Sequence, residues 1–106
     1  MKLRVWWIPQ IGMKAEPFQR QVENVKEGWK LINVLADYDL YQYENKVKPD
    51  YSNAGGLEML DEDGEWVEWQ DITGSNLDDI ERWLEDGQTM VDYFNQYGEN
   101  GQAEFA

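Results

Sequence analysis

The chain has 106 residues, among them six Trp, six Tyr and three Phe, and a formal net charge of −13 with no histidine and no cysteine. That length suits one domain with a real core, and the aromatic content excludes disorder throughout. The missing residue types exclude disulfides, thiolate metal sites and imidazole-based acid–base or metal chemistry.

The charge is unevenly placed. Residues 1–50 hold eight Lys/Arg and seven Asp/Glu, a net of +1, whereas residues 51–106 hold one and fifteen, a net of −14. Such a surface repels phosphate backbones, so direct nucleic-acid binding is not expected, while a basic protein surface is a fitting partner. No apolar run approaches the roughly 20 residues that span a bilayer. Met1–Arg4 leads into a strand rather than a signal peptide, so the expectation is a soluble intracellular protein.

Residues 2–8 alternate as a strand, with Leu3, Val5 and Trp7 on one face and Lys2, Arg4, Trp6 and Ile8 on the other. Pro9 closes it. Phe18–Glu23 reads as a second strand with Phe18 and Val22 toward the core, close enough in sequence to pair as a hairpin. Asn24 and Glu27 have the spacing of a capping box. The helix that follows carries Val25, Trp29, Ile32 and Ala36 as a buried stripe, with Gly28 allowing close approach to a sheet, and is expected to end near Asp37. The Tyr-rich stretch 37–45 fits a short helix or a strand, and the helix is preferred. Pro49 forces an extended predecessor, and Ser52–Gly56 turns into a central hairpin.

That hairpin spans Leu57–Leu60 and Trp66–Trp69. A three-residue loop, Glu62-Asp63-Gly64, places Leu57, Met59, Val67 and Trp69 on one face and Leu60 and Trp66 on the other. It also places Glu58 opposite Glu68, an unfavourable like-charge pair. A two-residue Asp63-Gly64 turn is the alternative. Ser75 and Asn76 are N-cap candidates for a helix starting at Leu77, whose stripe is Leu77, Ile80 and Leu84, flanked by Trp83, with Asp78 and Asp79 in the first turn. Gly87 is a stop. Met90, Val91, Phe94 and Tyr97 suit one further amphipathic helix. The expected architecture is α+β: a four-stranded, mainly antiparallel sheet of two hairpins with two main helices, in the order ββαββα. Residues 1–97 form one domain, and residues 98–106 a flexible C-terminal tail.

The chemistry-bearing residues are few. Asp61–Glu65 lacks calcium-loop spacing and reads as a turn. Ser52, Ser75, Thr73 and Thr89 have no histidine to activate them, and 22 acidic residues make chance carboxylate pairs inevitable. No catalytic residue, cofactor or metal is assigned, and an enzyme is not expected. Partner binding is the better use of the unusual residues. Trp6 and Trp66 lie on the second sheet face, which the C-terminal helix is expected to cover; left open, it is an aromatic patch of the kind that anchors interfaces. Tyr51 and Asn53 sit in the 48–56 loop, and Asp78, Asp79 and Glu85 form an acidic helix surface.

Five segments taken together carry a resemblance: Leu3-Arg-Val-Trp6, Ile8-Pro-Gln10, Leu35-Ala-Asp-Tyr-Asp39, Gln42-Tyr-Glu-Asn45 and Lys48-Pro-Asp-Tyr-Ser-Asn-Ala-Gly-Gly-Leu57. Over about Leu3–Asp71 the chain resembles a group of small tailed-phage proteins described as superinfection exclusion proteins. The resemblance implies a phage-encoded protein in the cytoplasm of a bacterial host, with histidine at the Trp7 position in many relatives and no catalytic residues to carry over. The leading expectation is therefore a non-enzymatic accessory protein that binds a host or phage protein. The alternatives are an acidic nucleic-acid mimic that inhibits a host defence or DNA-binding protein, and a small-ligand binder using the 48–56 loop.

Overall fold

A computed structural model describes residues 1–12, 14–48 and 52–102. Its elements run β1 (Leu3–Ile8), β2 (Phe18–Val22), α1 (Val25–Glu44), β3 (Ala54–Leu60), β4 (Trp66–Glu68), α2 (Leu77–Trp83) and α3 (Met90–Tyr97). The four strands form one antiparallel sheet in the order β2-β1-β3-β4. This is the expected α+β fold, with β1 placed centrally because α1 carries the chain across from β2 to the far side of β1.

The β3–β4 hairpin has the three-residue loop. Leu60 faces Trp66, Met59 faces Val67 and Glu58 faces Glu68. Asp61 N–H donates to Glu65 O at 2.8 Å, and Gly64 takes the left-handed conformation (φ +80°) that this loop requires. The two facing glutamates each have another partner: Glu58 accepts from Arg4 Nε at 2.8 Å, and Glu68 from Asn76 Nδ2 at 2.8 Å. The like-charge repulsion is thus offset from both sides.

One side of the sheet carries the core. Leu3, Val5 and Leu57 meet Val25 of α1, Trp69, Leu77 and Ile80 of α2, and Met90, Tyr93 and Phe94 of α3. Gly28 lets α1 lie directly on β3, since a Cβ there would stand 2.7 Å from Leu57 Cδ1. Phe18 lies on this same side, opposite Trp7, yet is 41 % exposed because β2 is the outer strand.

Several boundaries differ from the sequence expectation. The helix α1 does not stop near Asp37 but runs on through the Tyr-rich stretch to Glu44, so residues 38–44 continue one helix. The buried stripe fades after Leu35 because the helix outruns the sheet: Tyr38, Leu40 and Tyr41 are exposed, and Asp39 is buried in their midst. Asn24 caps α1 by accepting from Glu27 N–H, but the Glu27 carboxylate returns its bond to Glu23 N–H rather than to Asn24. Thr89 and Asp92 form a capping box that starts α3 as an element separate from α2. In α3 the buried aromatics are Tyr93 and Phe94, whereas Val91 and Tyr97 are exposed.

The segment after α3, expected as a tail from residue 98, is bonded to the domain as far as Gln102. Glu99 O accepts from Lys26 N–H at 2.8 Å and Asn100 Oδ1 from Val25 N–H at 3.3 Å, giving partners to amides in the first turn of α1. Gln102 O accepts from Ile72 N–H, and Gln102 N–H donates to the Tyr93 hydroxyl at 3.0 Å. Residues 103–106 lie outside the described residues.

Burial holds the Tyr93 phenol above the ordinary tyrosine pKa; the Gln102 N–H opposes this, and the Asp71 carboxylate and Tyr97 add to it. Asp71 acts here mainly through its charge, because its Oδ2 has no hydrogen bond of normal geometry. An unfolded tyrosine ionises near pH 10, so above about pH 10 the folded chain keeps a proton that the unfolded chain has lost. Stability should therefore fall as pH rises from there through the folded pKa. Urea midpoints measured between pH 8 and 11 should show this slope, and Tyr93→Phe should flatten it. A second prediction concerns Gly55, where a Cβ would overlap Trp7 Cε3 and stand 2.9 Å from Trp6 O. Gly55→Ala should destabilise by about 1–3 kcal/mol in the same urea assay, the range for overpacking a well-filled site.

Candidate functional site

The register that builds the core also fixes what lies on the other side of the sheet. Pairing runs Arg4–Glu58–Glu68 across three strands, with Leu60 beside Trp66 in one neighbouring row and Trp6 beside Gly56 in the other. Trp6 and Trp66 therefore stand at opposite corners of one face, with the Arg4–Glu58 ion pair between them. The Arg4 guanidinium also lies 4.3 Å from the Trp66 ring centre. A cation–π contact of this kind is worth about 0.5–1 kcal/mol at a partly exposed site, and the 2.8 Å ion pair, about one-fifth exposed on each side, a comparable or smaller amount. Together they hold the Trp66 ring and the Glu58 carboxylate in place.

Trp6 uses the space over Gly56: a Cβ there would come within 2.9 Å of Trp6 Nε1. The indole thus lies flat along the sheet instead of projecting from it. None of Trp6, Ile8, Leu60 and Trp66 belongs to the core cluster or to the side chains packed against it. The expected cover by the C-terminal helix is not what the structure has. Leu77 and Ile80 are buried in the core on the opposite side, with Leu84 packed against it, because Trp69 draws α2 to that side. Among the described residues no helix packs over this face, and its aromatic rings are half-buried against their own neighbours.

At the end of β1 a second cluster is structural. Trp7 Nε1 donates to Asp39 Oδ2 at 2.7 Å, Asp39 Oδ1 lies 3.5 Å from Lys48 Nζ, and Lys48 Nζ also donates to the Pro9 carbonyl. Asp39 is 2 % exposed. The cluster pins the overhanging half of α1 to the end of β1 and to the segment leading into the 48–56 loop. It engages Lys48, which is thereby occupied in a buried ion pair rather than presented to a ligand. Tyr51 lies outside the described residues. Asn53 is half-buried, and its buried Nδ2 has no hydrogen-bond partner among the described residues.

Of the acidic residues Asp78 and Asp79 sit on α2 and Glu85 follows it, apart from the two tryptophans. Asp79 is used twice, accepting from Asn76 N–H in a capping box and from Arg82 Nη2 at 2.7 Å. Asp78 and Glu85 are exposed. The structure thus gathers Trp6 and Trp66 onto one face and leaves Asp78, Asp79 and Glu85 elsewhere. Arg4 and Glu58, which link the two tryptophans, were not singled out in the sequence; only the cross-strand register pairs them. Among the described residues no group of three or more carboxylates converges as a metal site, and no helix is long and apolar enough to cross a membrane.

Trp7→Phe keeps the ring but removes the donor to Asp39. It should cost about 1–3 kcal/mol, the penalty for leaving a buried carboxylate short of a hydrogen bond. A urea midpoint unchanged from wild type would show that Lys48 alone satisfies Asp39.

No solved structure matches this chain. It is 51 % identical over 85 residues to a superinfection exclusion protein of Salmonella phage P22, an alignment covering 80 % of this chain and 76 % of that relative. The model of the family described as superinfection exclusion gene product 17 matches residues 2–89, from the first strand to the cap of α3, and the chain belongs to that family.

Proposed function

We propose that the protein serves superinfection exclusion by binding a host or phage protein, without chemistry of its own, inside the infected bacterium. The observation that carries this reading is the sheet face away from the core, where Trp6 and Trp66 flank a held Arg4–Glu58 pair and no helix among the described residues packs over them. Aromatic side chains beside an arginine, fixed on a rigid sheet, have the composition of an interface hot spot, where single anchors contribute 2 kcal/mol or more. The absence of histidine and cysteine from the sequence supports binding over catalysis.

Expression of the chain in a susceptible host should lower the plating efficiency of related phages. Trp6→Ala combined with Trp66→Ala should restore plating while the far-ultraviolet circular dichroism stays that of the folded chain. A folded double variant that still excludes would remove the aromatic face from the mechanism. A tagged pull-down from lysate at low and high salt separates this reading from the acidic-mimic alternative. Retention through the aromatic face persists in salt, whereas retention through Asp78, Asp79 and Glu85 does not.

A further inference from the structure

The strand β3 is longer than its neighbour, and the difference leaves hydrogen-bonding groups free. Leu60 N–H donates to Lys2 O at 3.0 Å, so the even-numbered residues of β3 bond toward β1 and the odd-numbered ones toward β4. On the β4 side, the last rung is Trp69 N–H to Leu57 O at 2.9 Å. Beyond it the chain turns away, drawn off by the Asp71 carboxylate, whose Oδ1 accepts from Thr73 N–H and Ser75 N–H. Gly55 N–H and C=O therefore have no hydrogen-bond partner among the described residues, whereas Leu57 is buried with Trp69 opposite it. Gly55 is exposed.

This free edge forms one side of a cleft. Trp29 and Ile32 of α1, Asp78 and Glu81 of α2, and Glu68 and Trp69 also line it. None of the three carboxylates is paired with a lysine or arginine among the described residues: Glu81 accepts from Trp29 Nε1 at 3.1 Å, Glu68 from Asn76, and Asp78 is exposed.

We infer that the β3 edge at Gly55 accepts an extended, lysine- or arginine-bearing peptide segment of a partner protein, which continues the fourth strand where β4 leaves it. Main-chain bonds to the Gly55 N–H and C=O supply sequence-independent attachment, as in other cases of strand addition. A residue placed opposite Gly55 turns its side chain to the α1 side of the sheet. There an aliphatic stem meets Trp29 and Ile32, and a cationic head meets Asp78 and Glu81. The glycine that Trp7 requires at position 55 also keeps this edge unobstructed. The inference rests on the partner-binding reading and specifies a second contact on a different surface from the Trp6–Trp66 face.

The test uses the full chain, labelled with nitrogen-15, and acetylated, amidated pentapeptide pools in which the central residue is fixed and the other positions are randomised. Lysine- and arginine-centred pools should shift the Gly55 amide, and aspartate- and glutamate-centred pools should do so least. Asp78→Asn with Glu81→Gln should weaken the lysine pool about three- to tenfold, the effect expected of two partly exposed charges. No pool moving this amide, or shifts confined to the Trp6–Trp66 face, overturns the inference. The pull-down distinguishes the two readings: a partner retained by the wild-type chain and lost on Trp6→Ala/Trp66→Ala, with a silent Gly55 amide, sinks the edge site and leaves partner binding standing.

Discussion

The fold depends on one cross-strand juxtaposition. Two consecutive tryptophans on β1 face two consecutive glycines on β3, Trp6 against Gly56 and Trp7 against Gly55. Neighbouring residues on a strand point to opposite faces, so each side of the sheet receives one large ring resting on a residue with no side chain. A strand glycine is ordinarily a weakness, since it brings backbone entropy and no packing surface. Here the ring across the ladder supplies the missing contact and shields the backbone. On one side this sets Trp7 deep enough to reach Asp39, and through it Lys48 and the Pro9 carbonyl. On the other it lays Trp6 flat at the corner of the face away from the core. The buried latch and the candidate site are two outcomes of the same pairing.

Much of this was legible before any coordinates. Period-two alternation in residues 2–8 gave the faces of β1, and the position of Gly64 gave the loop and register of the β3–β4 hairpin. The identity of that register carried through to Glu58 facing Glu68. What could not be read was which hairpin neighbours which. The β1–β3 pairing brings together residues about 50 positions apart, and no local pattern encodes it. Without it, Arg4 has no glutamate to meet and Trp6 no glycine. The end of α1 was misplaced for a related reason. Its apolar stripe stops where the sheet beneath it stops, while the helix itself, with no glycine or proline between Gly28 and Pro49, has nothing to end it earlier. The stripe reports the support under a helix, not the length of the helix.

The two surfaces proposed for partner contact differ in physical kind. The Trp6–Trp66 face offers rigid aromatic area with a held charge pair at its centre, and it gains from shape and burial. The β3 edge offers main-chain groups with acidic side chains around them, and it gains from hydrogen bonds and charge. Such edges are hazards in most proteins, because they pair with any exposed strand. In this chain the free edge at Gly55 lies beside residues of α1 and carries negative charge nearby. Those features discourage pairing with a second copy of the same acidic chain and leave a basic segment as the better fit.

The attachment of residues 99–102 to the first turn of α1 bears on how the protein comes into being during infection. The carbonyl of Glu99 and the side chain of Asn100 meet amides some 75 positions earlier in the chain. Tyr93, deep in the core, is likewise anchored by Gln102. A ribosome delivers these groups well after the strands and the helix they complete. The sheet and α1 thus emerge before the residues that finish the helix start and seal the aromatic core, and closure of the domain awaits residues 99–102. The fold is completed by its late segment rather than by the sheet and α1 alone.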